Sequence, residues 1–189
     1  FSHGDHVVLD LLAGLSGRVL DLGCGQGPYL RMLAKHADAG TIEYVGVDPD
    51  ASSLSTLGSR YPFARFVVAS AEELPAGLGT FDHVLALRSV NHFKDPARVF
   101  DAAIARLRPG GTLLLVDNVA FGLVRNREHA ARAESSSANR LEHYRNDDAE
   151  KCARRIEGKP MKLILRHDIS PLTSNQWVLR YERLEQVSP

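Results

Sequence analysis

The chain is 189 residues long, 44% hydrophobic and 24% charged, enough for the core of one ordinary domain and incompatible with a disordered chain. Its 23 Lys and Arg balance 23 Asp and Glu, and a formal net charge of +0 excludes attraction to nucleic acid by bulk charge. Two distant cysteines, Cys24 and Cys152, form neither a metal pattern nor a disulfide framework, and no apolar run is long enough to span a membrane, so the chain reads as cytoplasmic with no membrane partner.

The chain opens on Phe1 with no basic-then-apolar leader, and we read it as a piece whose N-terminus was processed or truncated. Residues 5–15 carry Val7, Val8, Leu11, Leu12 and Leu15 at helical spacing, with Ser2 or Asp5 as cap. Residues 18–22 form a short apolar run ending in glycines, which predicts a strand. A helix is predicted over 28–36, a strand over 43–47, a helix over 51–61 and a strand over 64–69. After a turn at Gly79, residues 81–87 predict a fourth strand. Residues 96–107 predict a helix with Val99, Phe100, Ala103, Ile104 and Leu107 on one face. Pro109-Gly110-Gly111 predicts a turn into a fifth strand over 112–116, apolar on both faces as a central parallel strand must be. Residues 161–169 and 176–184 predict a hairpin with its turn over 171–175. The polar, charged stretch 120–157 exceeds an ordinary connection and predicts a helical cap or lid. Its charges nearly balance, which favours a solvated surface over a basic substrate clamp. The rhythm predicts a single α/β domain over 1–189, doubly wound and Rossmann-like, with seven strands, mostly parallel and ending antiparallel.

The sharpest local signal is Asp21-Leu22-Gly23-Cys24-Gly25-Gln26-Gly27. A strand runs into glycines at every second position and then into a helix. Glycine admits close approach of a ligand and positive φ, and a helix N-terminus offers free N–H groups to an anion. The spacing is G-x-G-x-G, not the G-x-G-x-x-G of dinucleotide binding. About twenty residues later Val45-Gly46-Val47-Asp48 ends a strand in an acid, which in such a sheet stands beside the glycine loop. A carboxylate there can accept both hydroxyls of a ribose.

Strand, D-x-G-x-G-x-G, helix, strand and acid resembles the class I S-adenosylmethionine-dependent methyltransferases, over at least residues 15–117. Phe81-Asp82-His83-Val84 is similar to that family's F-D-x-V, and Leu107-Arg108-Pro109-Gly110-Gly111 to its L-x-P-G-G turn. The resemblance implies S-adenosylmethionine as cofactor, S-adenosylhomocysteine as product, and no metal. It implies cofactor contacts from Asp21, Gly23, Cys24, Gly25, Gly27, Asp48, Pro49, Ser70, Ala71, Glu72, Leu87 and Arg88. Ser70 departs from the Asp often found at the adenine position, and Ala71 offers only its backbone N–H.

Arg88-Ser89-Val90-Asn91-His92-Phe93 falls where family members bring donor and acceptor together. Methyl transfer from a sulfonium needs alignment and exclusion of water, and a base only for a protonated acceptor. His92 is the candidate catalytic residue, as base, as orienting group or as a wall of the pocket. Asn91, His92, Asp117 and Asn118 are the substrate candidates. His3, His6, Tyr29, His129, His143 and Tyr144 are further pocket candidates. The expected function is methyl transfer to the O, N or C of a small molecule, with no nucleic-acid partner. The alternatives are a methyltransferase acting on protein or RNA, and a non-catalytic cofactor-binding domain of the same fold.

Overall fold

A computed structural model describes residues 5–119, 145–169 and 175–185. Its centre is a sheet of seven strands: β1 (Gly17–Leu22), β2 (Ile42–Asp48), β3 (Arg65–Val68), β4 (Phe81–Leu87), β5 (Leu107–Asn118), β6 (Met161–His167) and β7 (Gln176–Arg183). The helices are α1 (Asp5–Ala13), α2 (Leu30–Asp38), α3 (Ala51–Arg60), α4 (Pro96–Arg106) and α5 (Ala149–Arg154). The strand order is β3-β2-β1-β4-β5-β7-β6, with β7 antiparallel to both neighbours and the other pairs parallel. The chain winds outward from β1 through β2 to β3, then restarts at β4 on the other side. The carboxyl ends of β1 and β4 therefore flank the point where the winding reverses, and there α/β sheets open a crevice.

Alternation along each strand divides the core in two. Leu20, Leu22, Val45 and Val47 face α4 and α5, where Phe100, Cys152 and Trp177 lie. Val19, Tyr44, Leu85 and Val116 face the other layer, where Val8 of α1, Leu30 and Leu33 of α2 and Leu54 of α3 pack. Burial on both sides explains the unbroken apolar runs of β4 and β5. Aspartates start three of the helices: Asp50 accepts Ser52 N–H at 3.0 Å, Asp95 accepts Arg98 N–H at 3.1 Å, and Asp148 accepts Lys151 N–H at 2.9 Å.

Most element ends lie within one or two residues of the sequence reading, and three differences bear on the site. Helix α2 starts at Leu30, because Pro28 and Tyr29 belong to the turn that the loop makes before it. Strand β5 already begins at Leu107, which pairs with Phe81; a register irregularity then follows, and Thr112 pairs with His83. The Pro-Gly-Gly turn is thus a kink within the strand's start, with Gly110 at φ +75°. The expected cap divides as well. Residues 120–144, with His129, His143 and Tyr144, and residues 170–174 of the hairpin turn lie outside the described residues, as do Ser2, His3 and the side chain of Asp5. The stretch 145–157 turns one face inward, where Ala149, Cys152 and Ile156 pack with Trp177 and Tyr181, and leaves Glu150, Lys151, Arg154 and Glu157 exposed.

Candidate functional site

The glycine loop is held by the end of β2. Gly23 N–H and Cys24 N–H both donate to Val47 O, at 2.8 and 3.2 Å, and Gly27 N–H donates to Cys24 O at 2.8 Å. Gly25 N–H donates to Asp48 Oδ2 at 2.8 Å. Gly23, Gly25 and Gly27 all take positive φ, +69°, +51° and +64°. A Cβ on Gly23 would lie 2.7 Å from the Cβ of Ser89, so β4's end packs directly on the loop. Ser89 Oγ in turn donates to Leu22 O at 2.7 Å.

This geometry corrects one expectation. The N–H groups of residues 23, 24, 25 and 27 are all consumed internally, so the loop is not the nest of free donors that a pyrophosphate needs. It is a bare, tightly turned surface with carboxylates beside it, suited to a neutral or cationic ligand.

Asp48 stands at the edge as the sequence indicates. Its Oδ1 accepts Asp50 N–H at 2.9 Å and its Oδ2 accepts Gly25 N–H. One acceptor position per oxygen remains for hydroxyls. Pro49 beside it is exposed. Asp21 is 5% exposed; Tyr44 O–H donates to its Oδ2 at 2.7 Å, and its Oδ1 has no partner among the described residues. Burial, opposed by the Tyr44 bond and reinforced by the charge of Asp48, pushes this acid up to about 7. The Cys24 side chain turns inward, where a Cβ on Gly46 would meet its Sγ at 2.8 Å. Burial pushes its thiol far up, so only the backbone of Cys24 faces the loop's ligand side.

The residues expected on the adenine side are bonded to one another. Ser70 Oγ donates to Glu72 Oε2 and accepts Glu72 N–H, and Glu72 Oε1 accepts Lys94 N–H at 2.9 Å. The Ser70 hydroxyl and Glu72 carboxylate therefore tie the loop after β3 to the start of α4 instead of reaching outward. Ala71 is buried against the core, and Leu87 is buried at the end of β4.

Arg88 ends β4 with φ +58°, a left-handed conformation that costs a non-glycine residue energy and that clusters at functional sites. Its N–H donates to Val116 O at 2.7 Å, its guanidinium reaches Gln176 Oε1 at 3.4 Å, and it lies 6.0 Å from the Tyr29 ring centre. This places Arg88 between the loop and the acceptor edge.

Beyond it the substrate candidates separate into two groups. Asn91 is 0% exposed: its N–H donates to Asp117 Oδ2 at 2.8 Å, its Nδ2 to Asn118 O at 3.2 Å, and its Oδ1 accepts Asp147 N–H at 2.9 Å. Asp117 uses its other oxygen on Asn118 N–H at 2.7 Å, and burial raises its pKa against the pull of those backbone bonds. Asn91 and Asp117 are thus a clasp joining the turn Val90–His92, β5 and the stretch before α5, and both are buried. Asn118 Oδ1 is buried with no partner among the described residues, and His92 is half-buried on the same edge. His92 and Asn118 remain as groups that can face an acceptor.

Tyr44, Ser89 and Gln176 escaped the sequence reading. Tyr44 sits mid-strand among apolar residues and looks like core; only the β1–β2 register, with Asp21 opposite Gly46, brings its phenol to the carboxyl. Among the described residues, no group of three or more His, Cys, Asp or Glu could hold a metal ion. No helix there is long and apolar enough to cross a membrane.

A family model described as a methyltransferase domain matches residues 20–115, about half of the chain. The chain belongs to the class I S-adenosylmethionine-dependent methyltransferases. The chain is 36% identical over 108 residues to an uncharacterized methyltransferase of Mycobacterium tuberculosis strain H37Rv, covering 57% of this chain and 42% of that protein. It is 36% identical over 120 residues to the 27-O-demethylrifamycin SV methyltransferase of Amycolatopsis mediterranei, covering 57% and 43%. It is 34% identical over 111 residues to the tRNA U34 carboxymethyltransferase of Hahella chejuensis, covering 55% and 33%. The chain thus matches less than half the length of these relatives. Its fold matches the crystal structure of an S-adenosylmethionine-dependent methyltransferase from Clostridium acetobutylicum with a TM-score of 0.68 at 13% identity, covering 97% of this chain and 92% of that one. The bare glycine cradle and the orphaned Asp21 oxygen fit a ligand that carries positive charge and no phosphate, as S-adenosylmethionine does.

Proposed function

We propose that this domain transfers a methyl group from S-adenosylmethionine to the O, N or C of a small-molecule acceptor bound at the carboxyl edge of β4 and β5. The observation that carries this reading is the glycine loop, whose donors are spent while two acids and a close-packed turn remain beside it. Bound S-adenosylmethionine supplies an electrophilic methyl carbon on a sulfonium whose leaving group is neutral. In this reading Gly23, Gly25 and Gly27 let it approach the backbone, and Asp48 accepts its ribose hydroxyls with the lone pairs left by Gly25 and Asp50. Ala71 contributes its backbone. His92 and Asn118 orient the acceptor, and the buried walls beside them exclude water, so that reaction needs alignment more than proton transfer.

A small acceptor is supported by the rifamycin-modifying relative and by the absence of basic excess in the sequence. The test is a methyl-donor assay over phenols, amines and activated carbon acids, with a peptide and a tRNA pool as rival acceptors. Turnover confined to small molecules is expected, and turnover confined to the peptide or the tRNA would overturn the acceptor assignment. With an acceptor in hand, His92→Gln is expected to raise KM about tenfold with kcat nearly kept, as an orienting group predicts. A fall in kcat of about 10²-fold or more at constant KM would make His92 a base instead.

A further inference from the structure

Asp21 occupies an unusual position for a carboxyl. It stands on β1 immediately before the glycine loop, 5% exposed, and alternation turns it with Val19 into the layer of α1, α2 and α3. The titratable groups around it are Tyr44 and Asp48 from β2 and Cys24 from the loop. Strand β4 brings Leu85, α1 brings Val8, and α2 brings Leu30 and Leu33. The turn before α2 brings Tyr29, with the Arg88 guanidinium across its ring. No ion pair reaches Asp21 among the described residues. Tyr44 gives the carboxyl one hydrogen bond at 2.7 Å, and Oδ1 receives none. A carboxylate so enclosed lacks what would offset its lost hydration, and the acid form, which needs less, is favoured. Burial also holds the Tyr44 phenol well above its ordinary range, so it stays a donor throughout.

We propose that Asp21 carries a proton in the ligand-free protein and releases it when the ammonium of the cofactor's amino-acid end settles beside the glycine loop, with Tyr44 as the positioning residue that sets how readily the proton leaves. This rests on the methyltransferase reading. The carboxyl O–H bond breaks, its electron pair stays on Asp21, the proton passes to solvent, and the ammonium and sulfonium of the ligand are unchanged. A positive charge brought near the carboxyl favours the ionised form, and the raised pKa of Asp21 places the event near neutral pH. Tyr44 donates to the carboxylate, so losing the phenol makes Asp21 hold its proton to higher pH.

The test is titration calorimetry of the full chain with S-adenosylhomocysteine and S-adenosylmethionine, from pH 6 to pH 9. Each titration is run in two buffers that both hold the chosen pH and differ in ionisation heat, which counts the protons exchanged. Relative to Asp21→Asn, the wild type is expected to release close to one more proton per ligand at pH 6 and almost none more at pH 9. Its affinity should improve by about tenfold per pH unit below neutrality and then follow the Asp21→Asn curve. Asp21→Asn should release no proton and should show only the uptake that keeps the ligand's α-amino group protonated at the alkaline end. Tyr44→Phe, of nearly equal volume, should move the release to higher pH, weakening binding at pH 6 while leaving affinity at pH 9 within about threefold of wild type. Ligand binding without proton release at pH 6 to 7, or release that persists in Asp21→Asn, would overturn the proposal and leave the family assignment standing. An unchanged pH curve in Tyr44→Phe would overturn the role of Tyr44. Failure of the wild type to bind either ligand at any pH would remove the cofactor reading and the proposal together.

Discussion

Two carboxylates flank the glycine loop, and their surroundings give them different work. Asp48 is half-buried, with both oxygens receiving backbone N–H groups, and it stays an acceptor. Asp48→Asn replaces one acceptor oxygen with a donor, which must then face Gly25 N–H or Asp50 N–H. Cofactor affinity is expected to fall about 10- to 300-fold, the equivalent of one or two charge-assisted hydrogen bonds, and titration calorimetry reads this directly. Asp21 is the opposite case. Burial pushes its pKa up to about 7 in the folded protein, against about 3.9 for an unfolded Asp. The folded state therefore holds more protons between about pH 4 and pH 7. The stability this gives is fully present below the unfolded value and is lost as pH rises through the folded one. Asp21→Asn keeps an acceptor for Tyr44 and carries no charge. Its stability relative to wild type, from urea unfolding of the ligand-free protein, should grow by about 2–3 kcal/mol between pH 5 and pH 8. A difference independent of pH would show that Asp21 does not titrate in this window. The sequence made both acids legible as site residues, because each ends or nearly ends a strand beside glycines. Their separate charge states were not legible, since Tyr44 lies 23 positions from Asp21 in the chain.

At the scale of elements, the loop's three glycines do different things. Gly25 has nothing within 4 Å of an added Cβ but sits at φ +51°, whereas Gly23 has φ +69° and Ser89 at 2.7 Å. Gly25→Ala is expected to lower ligand-free stability by about 1–2 kcal/mol, the cost of a left-handed alanine. Gly23→Ala is expected to cost about 1–3 kcal/mol more, because the end of β4 must shift. Chemical denaturation of the two variants checks the order, and equal losses would contradict the packing of Ser89 on the loop. The elements that build this edge were readable: the runs ending at Leu22, Asp48 and Leu87 are strands as expected. The clasp of Asn91 was not. Its partners Asp117 and Asp147 lie 26 and 56 positions away, and nothing local distinguishes a polar residue that closes a turn from one that meets a substrate. The same limit applies to the stretch 145–157, whose charged residues suggested a surface cap. Ala149, Cys152 and Ile156 at helical spacing were the signal for a buried face, and they seat the stretch on β7.

At the scale of the molecule, the α/β alternation made the parallel core legible, since each crossover helix returns the chain to the same edge. The placement of β7 between β5 and β6 was not legible, because a hairpin signal does not say which of its strands meets the sheet. That placement matters: it brings Gln176 to Arg88 and closes the far side of the acceptor edge. The central claim is that the crevice at the β1–β4 switch is shaped for S-adenosylmethionine and not for a dinucleotide, because the N–H groups of Gly23, Cys24 and Gly25 are spent on the end of β2 and that of Gly27 on the loop itself. The direct measurement is parallel titration calorimetry of the ligand-free chain with S-adenosylhomocysteine and with NAD at pH 8. The account predicts a dissociation constant for S-adenosylhomocysteine at least about 100-fold below that for NAD, a difference of about 2.7 kcal/mol. NAD binding as tightly as S-adenosylhomocysteine, or more tightly, would contradict it.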